Sequence, residues 1–256
     1  MKSATPTKWF PLALMLLMLI GACKKENLNP ATTPEPVEYG QALLKLEHIW
    51  GENLQAFYMR QWMEHPETGD SLRFDSLRYY VSQIALLNDK GNWIALNIPP
   101  QLVVLDFNTL FLIQLSEVPV GTYEAIRFAI GIDSLTNAAG MGGGFLDPLY
   151  GMYHGPSMGY IHIKAKGNAR SAPGEQFNYE LCGFGQPRMV QEHFDANELL
   201  EIANAGEPAV GFYVNTAAFW DVSTRPQHYY FVHSPGPANS ALSQNFGRAF
   251  IFEHLH

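Results

Sequence analysis

Cysteine is scarce in this 256-residue chain, which contains only Cys23 and Cys182. A structural zinc site built from several cysteines is excluded by that count. Cys23 lies in a setting that indicates lipid attachment, as described below, so Cys182 has no partner for a disulfide. Cys182 follows a strand-like run, and we expect it to be a small buried hydrophobe instead of a reactive thiol.

Motifs for several kinds of chemistry are also missing. Gly142, Gly143 and Gly144 do not form a phosphate loop, because no Gly-Lys-Ser/Thr follows them and they precede no helix. Serine, histidine and aspartate are present, as in any chain of this size, and do not by themselves indicate a hydrolase. We therefore expect a protein that is not an enzyme.

The apolar run at residues 9–22 is too short to span a bilayer as a stable helix. It follows the basic residues Lys2 and Lys8 and ends in Ile-Gly-Ala-Cys23. This arrangement is typical of a signal peptide, and its end is similar to the lipobox of bacterial lipoproteins. The prediction is a signal peptide over residues 1–22 and a lipid-bearing Cys23. The alternative is an ordinary signal peptide with an incidental cysteine.

Basic residues are few, and the balance of charge is acidic. Removal of residues 1–22 takes away two lysines and no acids, which changes the formal net charge from −8 to −10. That charge disfavours nucleic acid and anionic membrane surfaces as partners. Residues 24–38 are polar, rich in proline and without apolar periodicity, so residues 23–38 are predicted to be a lipidated tether. Residues 39–256 remain for one domain.

Helical periodicity is rare in that domain, whereas short alternating or apolar runs separated by Gly/Pro turns are common. We expect an all-β fold, a β-sandwich with a short C-terminal helix. Residues 195–205 are predicted to be a helical turn, residues 239–250 the terminal helix, and the tail with His254 and His256 is expected to be loose. The predicted strands are residues 41–50, 53–63, 71–87, 93–96, 102–106, 110–115, 121–133, 160–164, 176–184, 188–194, 210–214 and 229–232.

The stretch 142–164 combines a glycine-rich lead-in, an Asp-Pro turn and a loop of aromatic, Met and His residues that runs into a strand. Alternation in that strand places Ile161 and Ile163 on one face and His162 with Lys164 on the other. The first face suits a core, so His162 is expected to point toward ligand or solvent. A tight loop brings His154 and Met152 to the same side.

Four ordered segments resemble the methanobactin-partner (MbnP-like) family of exported bacterial proteins. They are residues 77–84, residues 128–133, residues 146–161 with their Leu-Asp-Pro, Gly-Met-Tyr and Gly-Tyr-Ile elements, and residues 233–234 together with 245–250. The resemblance implies a β-sandwich-like exported domain that handles copper. In the family, histidines and an oxidised tryptophan hold the metal, and a dihaem partner enzyme makes the oxidation.

The chain departs from that family pattern at two places. Met152-Tyr153 is followed by His154 where the family carries a tryptophan, so the oxidised-tryptophan device is expected to be absent. Glu180 stands in residues 177–181 where the family tends to carry a histidine.

His162 and His154 are the strongest predicted copper ligands, with Met152 or Met158 nearby, because imidazole suits copper and thioether suits Cu(I). His233 is a third candidate, and Glu180 is a possible additional hard ligand. The alternatives are structural: a hydrogen-bonded His162, an exposed His154, a helix-capping His233 and an ordinary strand carboxylate.

Three aspartates end strand-like runs near turns, namely Asp106, Asp133 and Asp147. They admit a structural calcium site, but no Asp-x-Asp-x-Asp loop is present, and Asx turns are the favoured interpretation.

Together these features predict a non-catalytic lipoprotein of the cell envelope, anchored at the outer membrane, that binds or acquires copper. The alternative is an envelope lipoprotein that has lost the metal and binds another protein or a glycan through its aromatic loops.

Overall fold

Two β-sheets with one shared core make up the fold in the computed structural model, which describes residues 36–105, 109–183, 185 and 187–256. All elements below belong to a compact unit, Val37–His256. The all-β expectation is therefore confirmed, including the short C-terminal helix. Among the described residues, no helix is long and apolar enough to cross a membrane.

The smaller sheet is built on β1 (Tyr39–Trp50), which pairs in parallel with β13 (Ala209–Asn215) and antiparallel with β7 (Leu110–Pro119). Alternate residues of β1, including Leu44 and Leu46, are fully buried, while Lys45 and Glu47 lie on the outer face. This alternation favours a strand, because one face of the sheet covers the core and the other faces solvent. Its strands are β1 Tyr39–Trp50, β2 Gln55–Ala56, β7 Leu110–Pro119, β13 Ala209–Asn215 and β15 Phe250–Leu255.

The larger sheet is organised around the 18-residue strand β4 (Ser71–Asn88). The first part of β4 pairs with β9 (Ile161–Ala169) and its last part with β8 (Gly121–Ile130). The pairing with β8 has a break in register between Ser82 and Ala85. The other strands of this sheet are β3 Met63–Glu64, β5 Trp93–Ala95, β6 Gln101–Leu105, β8 Gly121–Ile130, β9 Ile161–Ala169, β10 Phe177–Cys182, β11 Arg188–His193, β12 Leu200–Ile202 and β14 Phe231–Val232.

Aromatic contacts join the two sheets. The rings of Phe128 on β8 and Phe212 on β13 meet edge to face with centroids 5.3 Å apart. The helix α2 (Pro237–Gly247) closes one side of this core through Phe246, whose ring stacks on Phe219 at 4.4 Å. Such aromatic pairs add to the free energy gained by burying the apolar surface.

A second, smaller buried cluster lies under the long connection from β8 to β9. Met152, Tyr160 and Ile161 belong to it, together with Tyr80 of β4 and Cys182 of β10. The expectation that Cys182 is a buried small hydrophobe agrees with this placement. Burial raises the pKa of its thiol to about 11, so the reactive thiolate is disfavoured.

Several local predictions are wrong. Residues 53–63 form turns with only the short β2 and β3 at either side, and residues 195–205 contain a strand, β12, instead of a helical turn. The tail with His254 is part of β15 and pairs with β13. A six-residue helix, α1 (Ser134–Ala139), was not predicted.

Candidate metal site

His154 lies on a small hairpin in the connection between β8 and β9. Tyr153 and Tyr160 form an isolated antiparallel bridge, and the His154 backbone N–H donates to the Gly159 carbonyl at 2.9 Å. Gly159 turns the chain with φ of 70°, a conformation that favours glycine. The backbone therefore fixes the position from which the His154 side chain extends.

Asn137 of α1 attaches this hairpin to the sheet. Its Oδ1 accepts from the Tyr160 backbone N–H at 2.8 Å, and its Nδ2 donates to the Gly183 carbonyl at 3.0 Å. Asp133 positions α1, because its carboxylate accepts from the backbone N–H groups of Leu135 and Thr136. A buried amide thus joins the loop to the end of β10.

Glu180 of β10 is the centre of the site. Its Oε1 lies 2.8 Å from Nζ of Lys164, the residue directly opposite on β9. Its Oε2 lies 3.2 Å from Nε2 of His154 and 3.2 Å from Nδ1 of His233. Burial opposes the charge of Glu180, but the hydrogen bond and the charge of Lys164 outweigh it and lower the pKa of this carboxyl.

His233 reaches the same carboxylate from the end of β14, which runs parallel to β10. Its ring stacks on Phe231 with centroids 4.0 Å apart and planes 7° from parallel. Burial lowers the pKa of His233, although the Glu180 carboxylate acts in the opposite direction. The lowered pKa favours a neutral imidazole, which is the form that binds a metal.

In three histidines, His154, His162 and His233, the Nε2 atom is buried and makes no hydrogen bond in the part of the chain that the structure describes. In His154 this is the atom that lies 3.2 Å from Glu180 Oε2, a close contact without hydrogen-bond geometry. Buried polar atoms normally have hydrogen-bond partners, so a bound ion is one explanation for these unpaired Nε2 atoms.

Two other buried histidines provide a comparison. His48 places Nδ1 2.7 Å from the Thr109 carbonyl and Nε2 2.9 Å from the Tyr79 hydroxyl. Both ring nitrogens of His65 are also hydrogen-bonded, Nε2 to the Ala217 carbonyl and Nδ1 to backbone N–H groups. Histidines that serve only the core are thus satisfied in this protein, and those near Glu180 are not.

A comparison with protein families finds that the model of the MbnP family matches residues 39–234. The chain belongs to the MbnP family. Among solved structures, it is similar to MbnP from Methylosinus trichosporium, with a TM-score of 0.45 and 11% sequence identity over 79% of this chain and 83% of that one. No curated protein matches.

In this MbnP-family chain, the structure brings His154 together with His233, whereas the strongest pair predicted from the sequence was His162 and His154. His154 and His233 share Glu180, whereas His162 has no contact with that carboxylate among the described ion pairs. His162 instead lines a separate cavity with Cys182 and Arg188. Burial lowers the pKa of His162 to about 4, with a backbone hydrogen bond to Gly183 acting in the opposite direction.

Met152 is fully buried in the apolar cluster under the loop, and Met158 packs against that cluster. Met152 thus remains a predicted ligand, placed in apolar surroundings. Lys164 was missed as a site residue, although its place on the same strand face as His162 was a visible signal. Its position opposite Glu180 comes from the pairing of β9 with β10, which the sequence did not predict.

The remaining predicted positions have other roles or lie elsewhere. Asp133 caps α1, and Asp147 accepts from the Leu149 backbone N–H at 2.9 Å, so both form the Asx-type turns that were favoured over calcium. Asp106 and Cys23 are outside the described residues.

Residues 155–159 read Gly-Pro-Ser-Met-Gly, which has the spacing of a hydrolase nucleophile motif. A nucleophile elbow needs a sharp turn between a strand and a helix. This segment is the turn of the hairpin instead, and Ser157 at its tip is exposed. The motif therefore lacks the structural context of a hydrolase.

Proposed function

We propose that this chain is a non-catalytic, lipid-anchored MbnP-family protein that binds copper through His154, His233 and Glu180. The observation that carries the proposal is that two imidazoles lie 3.2 Å from one carboxylate oxygen, His154 through Nε2 and His233 through Nδ1, and that neither Nε2 makes a hydrogen bond in the described chain. Imidazole nitrogen and carboxylate oxygen together suit Cu(II), and two imidazoles suit Cu(I) as well.

The chain's own residues prepare this site in a definite way. Lys164 holds Oε1 of Glu180, so Oε2 is left for the imidazoles, and the Lys164–Glu180 pair adds no net charge to the site. Among the described residues, His154, His233 and Glu180 are not a group whose ligand atoms all lie within 4.8 Å of one another. Ion binding therefore requires the two rings to turn inward.

The test is titration of the purified protein with Cu(I) and Cu(II), comparing the wild type with His154→Asn, His233→Asn and Glu180→Gln. Each variant is expected to weaken binding by at least about tenfold, since loss of even an outer partner of a ligand costs that much. His193→Asn, at an exposed position, serves as the matched control. Unchanged affinity in His154→Asn and His233→Asn would refute the site. His162→Asn decides whether the third imidazole takes part.

The anchor is proposed from the sequence alone, on the basic, apolar and Ile-Gly-Ala-Cys23 order of the N-terminal segment. Attached acyl chains hold a protein on a membrane through their buried methylenes. Cys23→Ser is expected to move the protein from the membrane fraction of its host to the soluble fraction. Continued sedimentation of Cys23→Ser with the membranes would contradict lipidation. The wild type is expected in the outer-membrane fraction.

A second candidate function is favoured by the exposed apolar side chains of the connection from β8 to β9. Leu149 is 93% exposed and Met141 70% exposed, with Phe145 and Tyr150 beside them. Apolar residues grouped on one loop are typical of a contact surface for another envelope protein, a dihaem enzyme included, or for a glycan. Loss of a co-purifying envelope protein or glycan in Leu149→Ser, with copper affinity unchanged, would favour this function.

A further inference from the structure

A group of possible metal ligands lies far along the chain from the site above, on the C-terminal strand. Among the described residues, Glu253, His254 and His256 are the one set of three or more such residues whose ligand atoms all lie within 4.8 Å of one another. The match to the family model ends at residue 234, so the set lies outside the matched segment.

A β-bulge explains how neighbouring residues of a strand come to share a face. Val210 pairs with Leu255 and Phe212 with Phe252, so Gly211 alone opposes both Glu253 and His254. In a regular strand these two side chains would point to opposite faces, whereas a bulge brings them to the same side. His256 follows His254 by two residues and shares its face.

Gly211 provides the space in which the set assembles. A Cβ atom at this position would lie 2.5 Å from Glu253 Oε2 and 3.2 Å from His256 Nε2. Lys45 lies opposite Gly211 on β1, so a residue without a side chain also lets Lys45 reach across the strand to Glu253. The glycine is therefore a cradle for the carboxylate and the imidazole.

The distances suit an ion with few changes. Glu253 Oε1 lies 3.8 Å from His254 Nδ1, and Oε2 lies 3.5 Å from His256 Nε2. Bonds near 2.1 Å around a tetrahedral ion place neighbouring ligand atoms about 3.4 Å apart. The side chain of Glu253 is 8% exposed, whereas those of His254 and His256 are 48% and 36% exposed, so an ion can enter from solvent.

The charges around the set also admit a cation. Lys45 is 3.1 Å from Glu253 and 3.2 Å from Glu47, so it retains a partner when an ion takes an oxygen of Glu253. The Tyr213 hydroxyl donates to Glu253 Oε1 at 2.9 Å and keeps the carboxylate in place. With neutral imidazoles, these two glutamates and one lysine sum to one negative charge.

We propose that Glu253, His254 and His256 form a second, surface-facing site for a divalent transition-metal ion such as Zn²⁺ or Cu²⁺. Two imidazoles and one carboxylate are a donor set that such ions accept, and water completes the coordination. The site is independent of the one at Glu180, because the two share no residue.

The probe is Zn²⁺, titrated calorimetrically into the purified protein, with Cu²⁺ and electron paramagnetic resonance as the second readout. To isolate the site, the background is His154→Asn with His233→Asn, which leaves the C-terminal strand unchanged. In that background we expect one Zn²⁺ per chain, and a Cu²⁺ spectrum with nitrogen hyperfine structure. Addition of His254→Asn and His256→Asn is expected to lower the affinity by at least about tenfold.

Two further variants make the outcome decisive. His193→Asn with His228→Asn removes two exposed imidazoles elsewhere and should leave Zn²⁺ affinity unchanged. Gly211→Ala keeps all three ligands but fills the cradle, so it should weaken binding while the fold, followed by circular dichroism, persists. Equal Zn²⁺ affinity with and without His254 and His256 would overturn the proposal, whatever the result at Glu180.

Discussion

At the scale of single residues, the histidines separate into two kinds by their hydrogen bonds. His48 and His65 are buried with both ring nitrogens paired, which is the pattern of imidazoles that serve the core. His154 and His233 both lie 3.2 Å from one carboxylate oxygen, and neither has a hydrogen bond at Nε2 within the described chain. Residue type and sequence spacing do not reveal this difference, because it depends on partners that lie far away in the chain.

The paired state of His48 makes a prediction about pH. The Thr109 carbonyl can only accept, so Nδ1 carries the proton and Nε2 accepts from the Tyr79 hydroxyl. Burial lowers the pKa of His48 from 6.5 to about 4, with the bond to Thr109 acting in the opposite direction. The unfolded chain therefore binds the extra proton first as pH falls, and folding stability decreases between pH 6.5 and about 4.

This decrease is expected to be about 1.4 kcal/mol per pH unit for one histidine. Urea unfolding of the wild type and of His48→Asn across that pH range measures it. The variant should be less stable than the wild type at neutral pH. Between pH 6.5 and about 4, its free energy of unfolding should fall less steeply with decreasing pH, by the contribution of one bound proton. The exposed His193→Asn is the control. An identical slope in His48→Asn would show that folding does not lower the pKa of His48.

At the scale of elements, long alternating strands were the most predictable part of the fold. The pattern in β1, β4 and β8 follows from one buried face, and the structure confirms those strands. The segment 53–63 misled because Phe57, Met59 and Trp62 resemble strand residues, whereas the backbone there is mostly turns, from which Phe57 and Met59 are buried and Trp62 is exposed. The strand β15 was missed since its partner, β13, lies some 40 residues earlier and gives no local signal.

The hairpin at residues 152–161 shows the same limit for the site. Glycine and proline predicted a tight loop, and the structure has one, but the Asn137 contact that fixes it comes from an unpredicted helix. His233 and Glu180 meet through the parallel pairing of β14 with β10, and strand order could not be derived from the sequence. The candidate residues were therefore foreseeable by type, and their grouping was not.

Gly159→Ala tests whether this hairpin positions His154. The residue has φ of 70°, and a Cβ would lie 2.0 Å from Asn137 Oδ1. We expect a loss of about 1–3 kcal/mol in the free energy of unfolding and weaker copper binding, because the hairpin must shift.

Gly143→Ala is the matched control, since φ at Gly143 is negative and a Cβ there meets nothing within 4 Å. Chemical denaturation and copper titration of both variants provide the comparison. Wild-type stability in Gly159→Ala would mean that the contact with Asn137 is dispensable.

At the scale of the whole molecule, the site depends on a core that both sheets share. The main buried cluster contains Leu46 of the smaller sheet and Phe74 of the larger one, so the two sheets share the main core. The N-terminal end of β1 lies beside the start of β8, as the bond from Val120 to the Glu38 carbonyl shows. The loop with His154 follows the other end of β8, and the site residue Lys164 pairs with Arg78 in the middle of β4.

A shared core predicts one cooperative unfolding transition that any deep cavity weakens. Leu46 is fully buried and Leu149 is 93% exposed, so Leu46→Ala and Leu149→Ala remove the same atoms from opposite surroundings. Leu46→Ala should cost about 2–5 kcal/mol, the sum of lost burial and the cavity left behind, while Leu149→Ala should stay within about 0.5 kcal/mol. Denaturation followed by tryptophan fluorescence and by far-ultraviolet circular dichroism measures both. The two probes should give coincident midpoints in Leu46→Ala, because loosening β1 exposes the face on which the larger sheet packs; separated midpoints would instead mean that each sheet unfolds independently.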